Sequence, residues 1–426
     1  MATSPVLSTV PGAVPGAVLD APALAPIDVS LPELYAEDRW QDLFRQLRAQ
    51  APIQYVPESG FGPYWSVTTY KPIVHIEALP KIFSSDWQLG GIAISGDPKL
   101  SEQYNMHEPM FIAMDPPQHT AQRRTVAPSF GPSEVAAMKA EARQRTGEVL
   151  DALPIGEPFD WVQRVSIELT TGMLAKLFGY PWEQRHHLTE WSDYGGDVEM
   201  IKNPDTVEVR LAKMQEMGMA FAALWQDRMT NPGKDLVSVM LQSPAMRDMP
   251  PEEFIGNLIL LIVGGNDTTR NSMSAYAYGL SQYPAERARL EADPSLIPNA
   301  VQELIRWQTP LSHMRRTVTE DTDIAGVPMK KGDKVVMWYL SANRDESVFE
   351  DGEAIRVDRP NARRHLSFGY GIHRCVGARV AELQLVTLLE EMAKRRLRVN
   401  VLAEPVRVPA CFVHGYKSLQ VELSRY

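Results

Sequence analysis

The sequence lacks the features that mark disulfide-rich, membrane-spanning and nucleic-acid-binding proteins. Its 426 residues include only two cysteines, Cys375 and Cys411, which excludes a disulfide framework. No stretch approaches the roughly 18 uninterrupted apolar residues that a transmembrane helix needs. Lys and Arg number 43 against 53 Asp and Glu, a net charge of -10. Because no basic excess is available to contact phosphates, we expect no nucleic-acid partner.

The first thirty residues also lack the basic start of a signal peptide. The stretch VPGAVPGAVLDAPALAP is rich in Pro and Ala, a composition that predicts a flexible, low-complexity arm over residues 1–30. Without a basic segment followed by an apolar core, no typical secretory signal is expected. We therefore expect a cytoplasmic protein in a reducing environment.

Periodicity predicts a mainly α-helical chain with small sheets near both ends. A helical face begins after residue 30, and the alternating segment IQYVPESGFGPYWSVTTY is typical of a β-hairpin. Residues 86–113 lack a clean period and predict a long, functional loop. Helical patterns dominate from about 118 to 310, short strands follow, and a last helix follows Cys375. We interpret residues 31–426 as a single α-rich domain, because no linker divides them.

Cys375 lies in an unusual setting, the segment HLSFGYGIHRCVGARV at residues 365–380. The surrounding glycines would allow positive φ and a close approach to something large and flat. The cysteine precedes a helix, whose dipole would favour a thiolate together with the charges of Arg374 and Arg379. One cysteine cannot build a zinc or iron–sulfur site. The alternatives are therefore a buried inert thiol and an axial ligand to haem iron.

The spacing of this segment resembles the haem-binding signature of the cytochrome P450 family, Phe-x-x-Gly-x-His/Arg-x-Cys-x-Gly, matched here up to Gly377. The resemblance implies a mainly α, triangular-prism fold that binds haem b (iron protoporphyrin IX) between a central and a C-terminal helix. It implies that Cys375 is the iron ligand, whereas Cys411 is expected to be structural. The other cofactor contacts implied in this loop are Phe368, Gly369, His373 and Gly377.

A second segment, MDPPQHTAQRR, fits the same family. It places His119 and Arg123 at i and i+4 on one helical face. Alone, this pattern would indicate an ordinary solvated face. The resemblance implies instead that both residues hold haem propionates, together with Arg316 and His373, because propionates need cationic partners.

A third segment, NAVQELIRWQTP, places Glu303 and Arg306 at i and i+3. Alone, they would form a surface ion pair worth about 0.3 kcal/mol. The resemblance implies the buried Glu-x-x-Arg pair of the family, completed by a third residue before the cysteine loop, for which we choose Arg359. These residues are expected to stabilise the loop and to take no part in the reaction.

The segment LIVGGNDTTRNS, residues 261–272, disturbs a long apolar helix. That helix should begin near Pro250 or Pro251, with Asp248 as a candidate cap, and end near Gln282. Its two glycines cost roughly 1 kcal/mol each in a helix interior. Taken alone, the segment fits a kink stabilised by threonine back-bonding equally well.

The resemblance implies that LIVGGNDTTRNS is instead the acid–alcohol motif of the family, facing haem. Gly264 and Gly265 would leave room for O2 and substrate. Asp267 and Thr268 would relay the protons that cleavage of the O–O bond requires. No role is predicted for Asn266 or Arg270.

Several segments, among them PMFIAMDPP and TPLSHMRRT, resemble the soluble bacterial alkane terminal hydroxylases within the family. This implies hydroxylation of a medium-chain n-alkane or fatty acid at or near its terminal carbon, and residues 186–206 are expected to form a lid. Each apolar residue taken singly would be ordinary core. Those implied to line the substrate cavity are Leu89, Ile92, Ile94, Met110, Phe111, Leu261, Val263, Leu311, Met314, Phe412 and Val413.

The source of electrons is expected to be a separate protein, because no flavin or ferredoxin segment is recognised. The resemblance implies a [2Fe–2S] ferredoxin and an NAD(P)H-dependent ferredoxin reductase acting on a monomer. Arginines near the cysteine loop would steer an acidic partner, although simple solvation is the alternative. They are Arg363, Arg364, Arg374 and Arg379, with Arg123 and Arg124 nearby.

Alternative functions stay open at this point. The substrate of such an enzyme would be a terpenoid or a steroid in one alternative. A non-catalytic haem-thiolate gas sensor or binding protein is another, but it should lack the proton relay of Asp267 and Thr268. Peroxide-driven hydroxylases usually replace that acid–alcohol pair, which this sequence keeps.

Overall fold

The computed structural model describes residues 25–95, 103–104 and 109–426. Residues 1–24 of the predicted arm lie outside this range, but its last residues are packed. Val29 is fully buried, its carbonyl accepts a hydrogen bond from the Tyr35 hydroxyl, and Gln54 donates to the Ile27 carbonyl. The predicted end of the arm at residue 30 is therefore a few residues too late.

Helices make up most of the described chain, which confirms the mainly α prediction. Several begin with Pro, whose fixed φ suits the first turn, where its missing N–H has no helical partner. The α-helices are α1 Pro32–Ala36, α2 Gln41–Gln50, α3 Tyr70–Ala78, α4 Gln118–Val126, α5 Pro132–Asp151, α6 Glu168–Phe178, α7 His186–Gly196, α8 Pro204–Thr230, α9 Leu236–Gln242, α10 Pro251–Gln282, α11 Pro284–Ala292, α12 Ile297–Gln308, α13 Tyr339–Ala342 and α14 Ala378–Lys394.

The strands form small sheets beside the helices. One sheet has the order β1-β2-β8-β5-β3 and another β4-β12-β9, while β6 pairs with β7 and β10 with β11. The predicted hairpin is the antiparallel pair of β1 and β2. The strands are β1 Ile53–Val56, β2 Tyr64–Val67, β3 Phe83–Ser84, β4 Pro158–Asp160, β5 His313–Val318, β6 Thr322–Ile324, β7 Val327–Met329, β8 Lys334–Trp338, β9 Leu397–Val401, β10 Val406–Arg407, β11 Tyr416–Ser418 and β12 Gln420–Arg425.

Two local predictions need correction. The helical pattern after residue 30 is two helices, because Asp38, with φ of 54°, turns the chain between α1 and α2. The predicted long loop contains 3₁₀ turns at Trp87–Leu89 and Phe111–Ala113. Its residues 96–102 and 105–108 lie outside the described part of the chain.

The central helix α10 organises the site. Its 32 residues span about 48 Å and contact α6, α7, α12 and α14. It starts at Pro251 and ends at Gln282 as predicted, but Pro250 is the N-cap residue and Asp248 does not cap it. Among the described residues, no helix is both long and apolar enough to cross a membrane.

Candidate functional site

A cavity of about 710 Å³ lies between α10 and the cysteine loop. This volume falls in the range of roughly 300–1,000 Å³ that is common for ligand sites. Its wall is formed by parts of α6, α10 and β5, by most residues of the segment 87–95, by residues 110–113, and by parts of the loop 367–377. The cavity therefore collects residues from most of the length of the chain.

Cys375 faces this cavity from the turn before α14. Its backbone N–H donates to the Phe368 carbonyl over 2.7 Å, which closes the loop. Burial raises the pKa of the Cys375 thiol, opposed by the Gly377 N–H and by the charges of Arg123 and Arg374. In the described part of the chain, no group of three or more His, Cys, Asp or Glu side chains could hold a metal ion. The cavity thus offers one thiol with anion-stabilising groups around it.

The glycines of the loop serve two different purposes. Gly369 and Gly371 both have φ of +66°, as the sequence predicted. A Cβ on Gly371 would lie 2.4 Å from the Glu77 carbonyl oxygen, so the loop packs directly on the backbone of α3. Gly377 has φ of -84°, and positive φ is therefore not its purpose. It caps α14 and lines the cavity.

Basic and imidazole side chains meet at one end of the cavity. Arg123, Arg316 and His373 line it, and His119 packs against His373 in a tilted arrangement with ring centroids 4.3 Å apart. Burial, aided by nearby arginine charges, lowers the pKa of His119 to about 4 and that of His373 to about 2. Both ring nitrogens of His119 and Nδ1 of His373 are buried without a hydrogen-bond partner in the described structure. Such orphaned groups suit an anionic ligand.

Glu77 is a site residue that the sequence analysis missed. Its buried carboxylate accepts hydrogen bonds from Arg316 at 3.1 Å, from the Tyr339 hydroxyl and from the Tyr370 backbone N–H. Burial raises the pKa of Glu77, opposed mainly by the charge of Arg316. Glu77 thus joins α3 to β5 and to the cysteine loop. Its partners lie 239 to 293 positions away, so no local pattern could reveal them.

The segment that disturbs the central helix does not break it. Thr268 lines the cavity, and its hydroxyl donates to the Gly264 carbonyl over 2.6 Å, the back-bonding considered as an alternative. A Cβ on Gly264 would meet nothing within 4 Å, so this glycine opens to the cavity. Gly265 has another reason, because its Cβ would lie 2.7 Å from Leu174 of α6.

Asp267 is buried and does not line the cavity, although its neighbour Thr268 does. Its Oδ1 accepts hydrogen bonds from Ser192 at 2.8 Å and from Arg270 at 2.9 Å. Arg270 also pairs with Asp193 of α7 at 2.8 Å. Burial raises the pKa of Asp267, opposed mainly by the Arg270 charge. This ion-pair network gives Arg270 a role that the sequence had left open.

Asn266 also gains a physical explanation. Its Oδ1 accepts a hydrogen bond from Thr170 of α6 at 2.7 Å, and its Nδ2 donates to Asp267 at 3.3 Å. The amide therefore fixes the carboxylate of Asp267 from one side while α7 holds it from the other.

Glu303, Arg306 and Arg359 form one buried cluster, not a surface pair. Arg306 Nε lies 2.7 Å and Arg359 Nε 2.9 Å from the Glu303 carboxylate, and all three residues are at most 1% exposed. Burial alone would raise the pKa of Glu303, but the two guanidinium groups lower it below its ordinary value. Arg306 and Arg359 also donate to backbone carbonyls between residues 343 and 354, which fixes the chain that leads to the cysteine loop.

Three of the eleven predicted substrate residues do not line the cavity. Leu89 is 47% exposed at the surface, and its carbonyl accepts hydrogen bonds from β5. Ile94 is fully buried in a separate core with Trp338, and Val413 lies behind Phe412. The eight that do line it are Ile92, Met110, Phe111, Leu261, Val263, Leu311, Met314 and Phe412. Apolar lining residues that the sequence analysis missed include Met173, Leu174, Leu177 and Phe178 of α6.

Comparisons with known proteins agree with one another. The family described as Cytochrome P450 matches residues 207–395. Linalool 8-monooxygenase of Pseudomonas putida is 36% identical over 93% of this chain and 98% of its own length. A methyl-branched lipid omega-hydroxylase of Mycobacterium tuberculosis is 32% identical over 89% and 90%. The solved structure of Cytochrome P450-153 from Novosphingobium aromaticivorans has a TM-score of 0.88 at 56% identity, covering 93% of this chain and 99% of that one.

Proposed function

Because this chain belongs to the cytochrome P450 family, we propose that it hydroxylates medium-chain n-alkanes or fatty acids at or near the terminal carbon. It is a cytochrome P450 monooxygenase, and such enzymes use haem b, O2 and electrons from a redox partner. The substrate proposal rests on the apolar wall of the cavity. That wall runs from the loop segment 110–113 across α6 and α10 to Leu311 and Phe412.

The residues of the cavity fit haem. The Cys375 thiolate would be the iron ligand, and Arg123, Arg316 and His373 would hold the propionates, with His119 behind them. The two ring nitrogens of His119 and Nδ1 of His373 support this assignment, since they have no hydrogen-bond partner in the described structure. When bound, haem supplies the oxygen-activating iron, and a thiolate ligand favours O–O cleavage.

The chain itself would supply the protons. Thr268 lines the cavity, and its hydroxyl donates a hydrogen bond to the Gly264 carbonyl. Asp267 precedes Thr268 in the chain, contacts Ser192 of α7, and is the only carboxylate of the acid–alcohol motif. We propose that protons reach Thr268 from the side of α7 through Asp267, whose carboxylate makes that contact with Ser192.

Apolar walls suit a hydrocarbon chain because each buried CH2 contributes about 0.8 kcal/mol. We therefore expect chains from octane to dodecane length, or the matching acids, to shift the ferric haem from low to high spin. The reduced protein should first show the thiolate-type difference spectrum with carbon monoxide. Spectral titration with each chain gives Kd, and product analysis gives the position of oxidation.

Two outcomes would contradict the substrate proposal. A spin shift with a terpene or steroid but with no linear chain would favour the terpenoid alternative, which the similarity to Linalool 8-monooxygenase supports. Consumption of NADH without any oxygenated product from any bound ligand would favour a non-catalytic haem protein.

For the electron partner we propose an acidic [2Fe–2S] ferredoxin. Arg363, Arg364, Arg374 and Arg379 are exposed near the cysteine loop. Within the described residues, none of these four forms an ion pair with a carboxylate of the chain. Exposed cationic side chains without a carboxylate partner attract an acidic protein and raise the rate of association by charge steering.

Reversing two of these charges should slow electron transfer. We expect Arg364→Glu with Arg379→Glu to lower the second-order rate of reduction by a surrogate ferredoxin about tenfold at low ionic strength. The difference should disappear at high salt, where charges are screened. Arg45→Glu on α2 is the matched control, because Arg45 is exposed but paired with Asp42. Equal loss in the control, or no loss in the double variant, would contradict docking at this surface.

A further inference from the structure

Positive charge outweighs negative charge on the cavity wall. The described residues that line it include Arg123, Arg210, Arg315, Arg316 and Lys334, but Glu77 is their only carboxylate. Arg123 and Arg316 lie beside His373 at the thiol end, where the haem propionates are expected. Arg210 donates to the backbone carbonyls of α7 residues. Arg315 and Lys334 therefore remain as cations that neither the reaction nor the cofactor uses.

Arg315 is half-buried, and its guanidinium has hydrogen-bonding capacity to spare. It donates to the carbonyls of Gly90 at 2.8 Å and Leu89 at 3.0 Å, while its Nε is buried and has no partner in the described structure. It forms no ion pair with any described carboxylate. Burial lowers its pKa to about 10, so the side chain stays charged at neutral pH without a counter-ion. A charge that is partly removed from water and has no carboxylate beside it favours the binding of an anion.

Lys334, on the neighbouring strand β8, adds a second cation. Its ammonium group donates to the Phe61 carbonyl, which leaves further donors unaccounted for by the described residues. Burial, followed by the charge of Arg315, lowers the pKa of Lys334 to about 8. In the antiparallel pair of β5 and β8, Arg315 lies opposite Val336 and Lys334 lies opposite Thr317. Because alternate residues of a strand share a face, the two cations lie diagonally on the same face of the sheet.

Apolar surface begins directly beside these charges. Met314 precedes Arg315 on β5, and with Leu311, Ala93 and Phe412 it forms an apolar cluster. All four of these residues line the cavity. The cavity therefore offers both cations and an apolar cluster, the two parts that a fatty acid needs.

We propose that Arg315 and Lys334 form a carboxylate-binding site, so that the preferred substrates are medium-chain fatty acid anions held by the head group. This inference rests on the proposed function and decides between its two substrate classes. A guanidinium matches a carboxylate with paired N–H donors, and an ammonium adds a further charge-assisted bond. The opposite end of the chain is then left free to reach the haem.

The test compares three ligands of one chain length on the holoenzyme: dodecanoic acid, dodecan-1-ol and dodecane. Spin-state titration should give the lowest Kd for the acid. Arg315→Gln and Lys334→Gln should each raise the Kd for dodecanoic acid about tenfold and change that for dodecane less than about twofold. Lys330→Gln is the matched control, because Lys330 is exposed, pairs with Asp321 and does not line the cavity. It should leave all three values unchanged.

Further variants keep the result interpretable. Because Arg315 also supports the loop at Gly90, Arg315→Lys keeps the charge and should restore most of the affinity for the acid. Lys334→Glu should raise the Kd for dodecanoic acid further and lower the Kd for dodecan-1-amine. If the chains bind but the acid is unaffected by both Gln variants, the head-group site is wrong and the proposed function stands. If no linear ligand gives a shift, both are wrong.

Discussion

Replacing Cys375 with serine is expected to abolish the thiolate-type carbon monoxide difference band of the reduced protein, and with it monooxygenase activity. An alcohol does not ionise as a thiol does, so serine cannot supply the electron density that favours O–O cleavage. The hydrogen bond that closes the loop is donated by the backbone N–H of Cys375 to the Phe368 carbonyl, and it survives the substitution. The measurement is the difference spectrum together with the haem content per chain.

The second cysteine provides the matched control. Cys411 is fully buried in a core with Phe61 and Trp338, and its carbonyl accepts a hydrogen bond from His313. Cys411→Ala keeps this backbone contact and should retain the thiolate band while lowering the melting temperature slightly. A thiolate band in the Cys375→Ser protein, or its loss in the Cys411→Ala protein, would overturn the assignment of the ligand.

The second large effect is expected from Asp267→Asn. An amide cannot donate and regain a proton as a carboxylic acid does, so product formation should fall about 100-fold or more. Asp193 keeps the Arg270 guanidinium paired, and the variant should therefore fold. Because Asp267 does not line the cavity, the substrate-induced spin shift should stay near that of the parent protein. Product rate, Kd and thermal unfolding are measured side by side.

Two further measurements separate a proton relay from a purely structural role for Asp267. If Asp267 relays protons, the solvent deuterium isotope effect on product formation should increase in Asp267→Asn, and more NADH should be consumed per product formed. Ser192→Ala is the control, since it removes one hydrogen bond from the same carboxylate oxygen but leaves the acid in place. It should reduce the rate only a few-fold. An unchanged isotope effect in Asp267→Asn would exclude the proton relay.

The local motifs could be predicted from the sequence because all residues of each motif lie within a short segment. Spacing alone was enough to predict two of them. In the cysteine loop, Phe368 and Cys375 are seven positions apart, and in the helical pair Glu303 and Arg306 are three apart. The bounds of the central helix followed from an apolar run that starts at a proline. Positive φ was predicted for the glycines of the loop as a group, and it is found at Gly369 and Gly371 but not at Gly377.

The sequence could not show which way a side chain points, nor which distant segments contact each other. Leu89, Ile94 and Val413 lie in segments without helical or strand periodicity, so the sequence could not show that they point away from the cavity. The network around Arg270 needs α7, which is far away in the chain. In the sequence, Lys334 and Arg315 resemble ordinary strand cations. Only the structure shows that both line the cavity and that neither has a carboxylate partner among the described residues.

The contact between Glu77 and the cysteine loop has a consequence for recombining this protein with its relatives. One residue meets the loop twice, through its carboxylate at the Tyr370 N–H and through its carbonyl against Gly371. A chimera with a crossover between α3 and the loop would take these partners from different parents. Crossovers placed before α3 or after α14 keep them together. Libraries that vary the loop should therefore carry residues 70–78 from the same parent.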